Sequence, residues 1–192
     1  MDRRKVLQNM GWGLGAVATT PAISSLFQSC QTAPSWTPKF FAASQWNMIN
    51  ELMELIIPET DIPGAKSLKL AAFSDAYIDA VLNEDRQKGI RNSADAFVAQ
   101  TLKSTGKSSI DAVSVEELDG QLSKYLRGKT PEGEEQAAKF ARQLRSFTIR
   151  AFKTNEYIGE NVMAYAPIPG QQKGCVDLME ATGGKAWSCL LY

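Results

Sequence analysis

Apolar residues return at helical spacing through most of this chain. Trp46, Ile49, Leu52, Met53 and Ile56 share one face of a segment that Ser44 is placed to cap and Pro58 to end. A stripe of Phe73, Tyr77, Ile78, Val81 and Leu82 predicts a second helix from Ala71 to about Asp85. Ile90, Ala94, Phe97, Val98 and Leu102 predict a third, closed by Gly106. Ser114 and Glu117 have the spacing of a capping box ahead of Leu118, Leu122, Tyr125 and Leu126, with Gly128 beyond them. Thr130-Pro131 opens the fifth helix, in which Ala137, Phe140, Ala141, Leu144, Phe147, Ala151 and Phe152 keep one face apolar for about five turns. That length marks it as the central helix. A shorter helix around Glu156 to Ala164 completes an all-α fold, a single small domain of about five or six helices over residues 44–192 with an irregular carboxyl-terminal tail.

The tail begins where the period stops. "APIPGQQKGCVDLMEATGGKAWSCLLY" holds two prolines and four glycines, and its backbone must cross the bundle without a regular pattern. Cys175 and Cys189 are the pair available to staple it if the chain is exported, and closing a loop of about fifteen residues would contribute roughly 3 kcal/mol. Two separate thiols are the alternative, because spacing alone does not bring side chains together.

The amino-terminal end has a different character. Residues 10–29 contain Gly11, Gly13, Gly15, Thr19, Thr20 and Pro21, too polar for the ~20 apolar residues of a membrane span. A basic start, a modest apolar run and small residues match an export signal over residues 1–29. "DRRKVLQ" resembles the twin-arginine form of that signal, with Arg3 and Arg4 as the pair, and so predicts export by the twin-arginine translocase. An ordinary amphipathic helix with a basic start is the alternative. "LFQSC" resembles a lipobox, which makes Cys30 the candidate for acylation, with ordinary cleavage nearby as the other outcome. Residues 30–43, rich in proline and without period, read as a tether.

Removing residues 1–29 leaves 163 of the 192, enough for one domain with a core. The 21 basic and 21 acidic residues lose Arg3, Arg4, Lys5 and Asp2, which leaves a charge of about minus two. No basic stripe suggests nucleic acid. The sequence contains no histidine, which removes serine–histidine triads and histidine-bearing zinc or haem sites. Asp75 and Asp79, one turn apart, and Glu59 and Asp61, in a loop, are the remaining carboxylate pairs. Both read as solvated acidic surface, since neither carries a neighbouring motif that would hold a metal or shift a pKa. The expectation is a domain that does not catalyse alone: catalytic, cofactor and metal residues, none.

Two proline- and glycine-bearing loops leave helices, "IIPETDIPGAKS" and "YAPIPGQQKGCVDL". Together with the leader, "LIIPETDIPGA" and "YAPIPGQQKGC" resemble the small subunit, subunit 3, of the gluconate 2-dehydrogenase family, and the resemblance covers nearly the whole chain. It implies a non-catalytic accessory subunit of a GMC-type flavoprotein that oxidises a sugar or sugar acid, with FAD, and haem c on a cytochrome subunit, held by partners. It also implies that the leader exports the folded flavoprotein with this chain to the periplasmic side of the envelope. The partner surface expected from the loops is Pro58, Glu59, Thr60, Asp61, Pro63 and Gly64 in the first and Pro167, Pro169 and Gly170 in the second. A stand-alone envelope lipoprotein binding a ligand or structural partner is the alternative. A third reading has Glu59 or Asp61 complete an active site shared with the flavoprotein.

Overall fold

The computed structural model describes residues 36–165 and 175–188. Backbone contacts group Pro38–Tyr192 into one unit apart from Met1–Thr37, and every element below lies in the former. Its described residues form five long α-helices, α1 (Trp46–Ile56), α2 (Leu70–Val81), α3 (Glu84–Thr105), α4 (Val115–Leu126) and α5 (Glu135–Lys153), then a short α6 (Leu178–Thr182). No strand occurs among them; one isolated parallel bridge joins Ala164 to Trp187. The chain is all-α, as the periodicity predicts.

The nineteen-residue α5 packs against each of the other four long helices, most extensively against α3. Ala137, Ala138, Phe140, Ala141, Leu144, Thr148 and Ala151 form its buried face. The alanines let neighbouring helices approach closely while Phe140 fills the centre, with its ring 5.4 Å from that of Phe97 on α3. Phe97 in turn meets Tyr125 of α4 edge-on at 5.9 Å. Thr148 is fully buried, and its hydroxyl donates to the Leu144 carbonyl at 2.8 Å, so it adds no unmet polar atom.

Local signals set most boundaries. Ser114 and Glu117 form the reciprocal capping box of α4. Asn83 caps α3 through the Arg86 amide, and Gly106 ends it at φ 68°. Three boundaries depart from the periodicity. Ser44 lies inside a 3-10 turn, Ala43–Gln45, and caps nothing, since the backbone enters α1 from Gln45 with helical dihedrals. α2 ends at Val81 rather than near Asp85, because Asn83 supplies a strong cap that starts α3 at Glu84. α5 starts at Glu135, with Pro131 in the turn before it. The segment after Glu156 is a π-type turn, Ile158–Val162.

α2 buries a different face from the one its apolar stripe predicts. Its buried face is Leu70, Ala71, Ser74, Asp75 and Ile78, whereas Phe73 and Val81 are exposed. Asp75 therefore lies in the interior rather than on a solvated acidic face; Asp79, one turn on, is exposed. The Asp75 carboxylate accepts the backbone N–H of Lys39 at 2.8 Å, of Phe40 at 3.0 Å and of Phe41 at 2.9 Å. Phe40 and Phe41 are buried in the core, with the Arg91 guanidinium 4.6 Å above the Phe40 ring. Residues 39–41, expected to belong to the tether, are thus packed into the fold. A run of three amides has no helix or strand to bond within, and a buried carboxylate meets them all.

Candidate functional site

The loop between α1 and α2 is built from its own carboxylates. Glu54, in the last turn of α1, accepts the backbone N–H of Glu59 at 2.9 Å and of Lys66 at 2.8 Å, one on each oxygen. Glu59 then reaches across the turn: its Oε2 accepts the Gly64 amide at 2.7 Å and the Ser67 hydroxyl at 2.6 Å. Lys66 closes the far side on Glu51 at 2.7 Å. These bonds favour the charged carboxylate, so the Ser67 hydroxyl first and the Gly64 amide second hold the Glu59 pKa below the ordinary glutamate range.

Gly64 is required where the loop folds back on itself. A Cβ there would lie 2.5 Å from the Glu59 nitrogen and 2.7 Å from Glu54 Oε1. The adjoining Ala65 is buried, and its amide donates to the Ile57 carbonyl at 2.9 Å. Lys69, immediately before α2, takes the left-handed conformation at φ 53°, the one positive-φ residue other than glycine among those described. That geometry costs roughly 1–2 kcal/mol in a residue with a Cβ, and the surrounding hydrogen bonds hold it.

This construction separates the residues expected at a partner surface. Pro58, Glu59, Thr60 and Asp61 are exposed, Pro63 is half-buried and Gly64 is buried. Glu59 acts inward as the loop's internal acceptor, while Asp61 has no hydrogen-bond or ion-pair partner among the described residues. Pro58, Thr60 and Asp61 are thus exposed on a loop held in shape by Glu54, Glu59 and Gly64. Pro167, Pro169 and Gly170 of the second loop, the export pair Arg3 and Arg4, and Cys30 lie outside the described residues. Cys175 is exposed and unpaired among the described residues; Cys189 lies outside them.

Two surfaces escaped the reading of the sequence. The first is a groove of about 510 Å³ between α2, α3 and α5, lined by Tyr77, Leu82, Arg86, Gly89, Phe147 and Arg150 among others. The Gln87 side-chain amide ties the start of α3 to the end of α2 by donating to the Ile78, Asp79 and Leu82 carbonyls. The second adjoins the tail, where Tyr157, Val176, Leu178, Met179 and Trp187 are each at least half exposed. The groove had one legible signal: Tyr77 and Leu82 sit beyond the face centred on Ala71 and Ile78, so the α2 stripe was too wide for one buried side.

No group of three or more Cys, Asp or Glu among the described residues is disposed to hold a metal. No helix among them is long and apolar enough to cross a membrane. A family profile described as gluconate 2-dehydrogenase subunit 3 matches residues 43–170, which span α1 to α5, the first proline loop and the start of the second. No curated protein and no solved structure matches the chain.

Proposed function

The chain belongs to the gluconate 2-dehydrogenase subunit 3 family, and we propose that it is the accessory and export-escort subunit of a periplasmic GMC-type sugar or sugar-acid dehydrogenase. The family match carries this reading, since a subunit of a multi-subunit dehydrogenase has partner subunits. In this reading FAD belongs to the flavoprotein and haem c to a cytochrome. The leader of residues 1–29, with Arg3 and Arg4, addresses both proteins to the twin-arginine translocase, and acylated Cys30 anchors the result. The self-braced Pro58–Ala65 loop supports a docking role: its shape persists without a partner, so little ordering entropy is lost on association.

Co-expression with the flavoprotein tests the escort. Replacing Arg3 and Arg4 with lysine keeps the charge but removes the guanidinium forks, and both proteins should then remain in the cytoplasm. Asp61→Lys, which leaves the internal bonds of Glu59 untouched, should let this chain leave while stranding the flavoprotein. A flavoprotein that reaches the periplasm when this chain is deleted would overturn the proposal.

A further inference from the structure

We propose that the groove between α2, α3 and α5 receives an acidic segment of a partner subunit that carries an aromatic or branched apolar side chain. This rests on the accessory-subunit reading and assigns a second point of contact, distinct from the proline loop.

Charge and shape define the occupant. Leu82, Ile90 and Phe147 give the groove an apolar floor. Arg86 of α3 and Lys139 and Arg150 of α5 stand around it against the single acid Asp85, in a domain whose overall charge is slightly negative. None of the three cations forms an ion pair with a described residue. Arg150 is held in place by donating to the Tyr77 hydroxyl at 2.8 Å, and its guanidinium lies 5.6 Å from the Tyr77 ring. Tyr77 stacks on Phe73 at 6.4 Å, and Phe73 is 47% exposed. An aromatic ladder therefore leads from solvent to an oriented cation, which suits a carboxylate adjoining an apolar side chain.

Gly89 adds an independent observation. It lies inside the twenty-two-residue α3, where glycine weakens a helix, yet a Cβ there would meet nothing within 4 Å. Packing within the chain does not require it, and its missing side chain leaves the groove open.

Two binding assays test this on the full chain. The first follows fluorescence anisotropy of a labelled Asp-Glu-Phe-Glu-Asp peptide, with Lys-Lys-Phe-Lys-Lys as the control. The acidic peptide should bind, weaken on raising salt from 20 to 200 mM, and lose about tenfold or more in affinity in Arg86→Glu/Lys139→Glu. Both substitutions are at exposed positions near helix amino-terminal ends, where glutamate is tolerated. Gly89→Gln should block binding without changing any charge while raising the melting temperature. Equal binding of the basic peptide, or unchanged binding in both variants, overturns the assignment. So does a dimer of this chain that the double variant dissolves, since the occupant is then a second copy. In the second assay, the flavoprotein is co-purified with each form. If it accompanies wild type and the double variant equally, the groove proposal fails and the accessory role stands. If it never accompanies wild type, the accessory role itself fails.

Discussion

Replacing Asp75 with alanine removes the acceptor of three backbone amides, those of Lys39, Phe40 and Phe41. Two outcomes are open to the chain. If the segment stays docked, its amides lose their acceptor in a dry interior, and a deprived buried donor costs about 1–3 kcal/mol. The Phe40 and Phe41 amides are buried and that of Lys39 is partly so, which gives about 3–6 kcal/mol in all. If the segment instead lets go, water meets the amides but Phe40 and Phe41 lose their burial. Each phenylalanine side chain contributes about 1.5–3 kcal/mol when buried, so the second route costs about the same, with the Arg91 contact to Phe40 lost as well. Destabilisation of about 3–6 kcal/mol therefore follows by either path, read from the urea midpoint at constant m-value. Hydrogen exchange at residues 39–41 separates the paths, since only release exposes those amides. Asp75→Asn keeps the shape and one acceptor oxygen and should cost roughly half as much. A loss below about 1 kcal/mol in Asp75→Ala with unchanged protection at 39–41 would mean that the carboxylate does not hold this segment.

Gly64→Ala drives a Cβ against the Glu59 backbone and should cost about 1–3 kcal/mol, measured by thermal unfolding, with Asp61 mobility rising in the same variant. Glu59 has a lowered pKa in the folded loop, so the stabilisation from its charged form is present above the ordinary carboxylate range and lost as pH falls through the lowered value. Exchange of the Gly64 amide should accelerate in that acid window, and Glu59→Gln should remove the pH dependence. Mass spectrometry of exported protein without reductant should find Cys175 joined to Cys189, and serine at both should lower the melting temperature; free thiols at both positions would dismiss the staple.

The helices were legible along the chain, because a 3.6-residue apolar period and the end signals Ser114 and Gly106 act through neighbours on the same turn. Residues of α5 needed no distant partner to be read as the central face, and "PETDIPGA" was already the most specific stretch of the family resemblance. The tertiary structure decided the fate of charge. Asp75 reads along the chain as solvated acidic surface, yet it is buried, because the amides it accepts lie 34 to 36 residues away. Glu59 looked like a surface carboxylate until the loop closed on Gly64 and Ser67. The groove of Tyr77, Arg86 and Arg150 draws on three helices whose register against one another is set by side-chain packing in the core, a property no single segment carries.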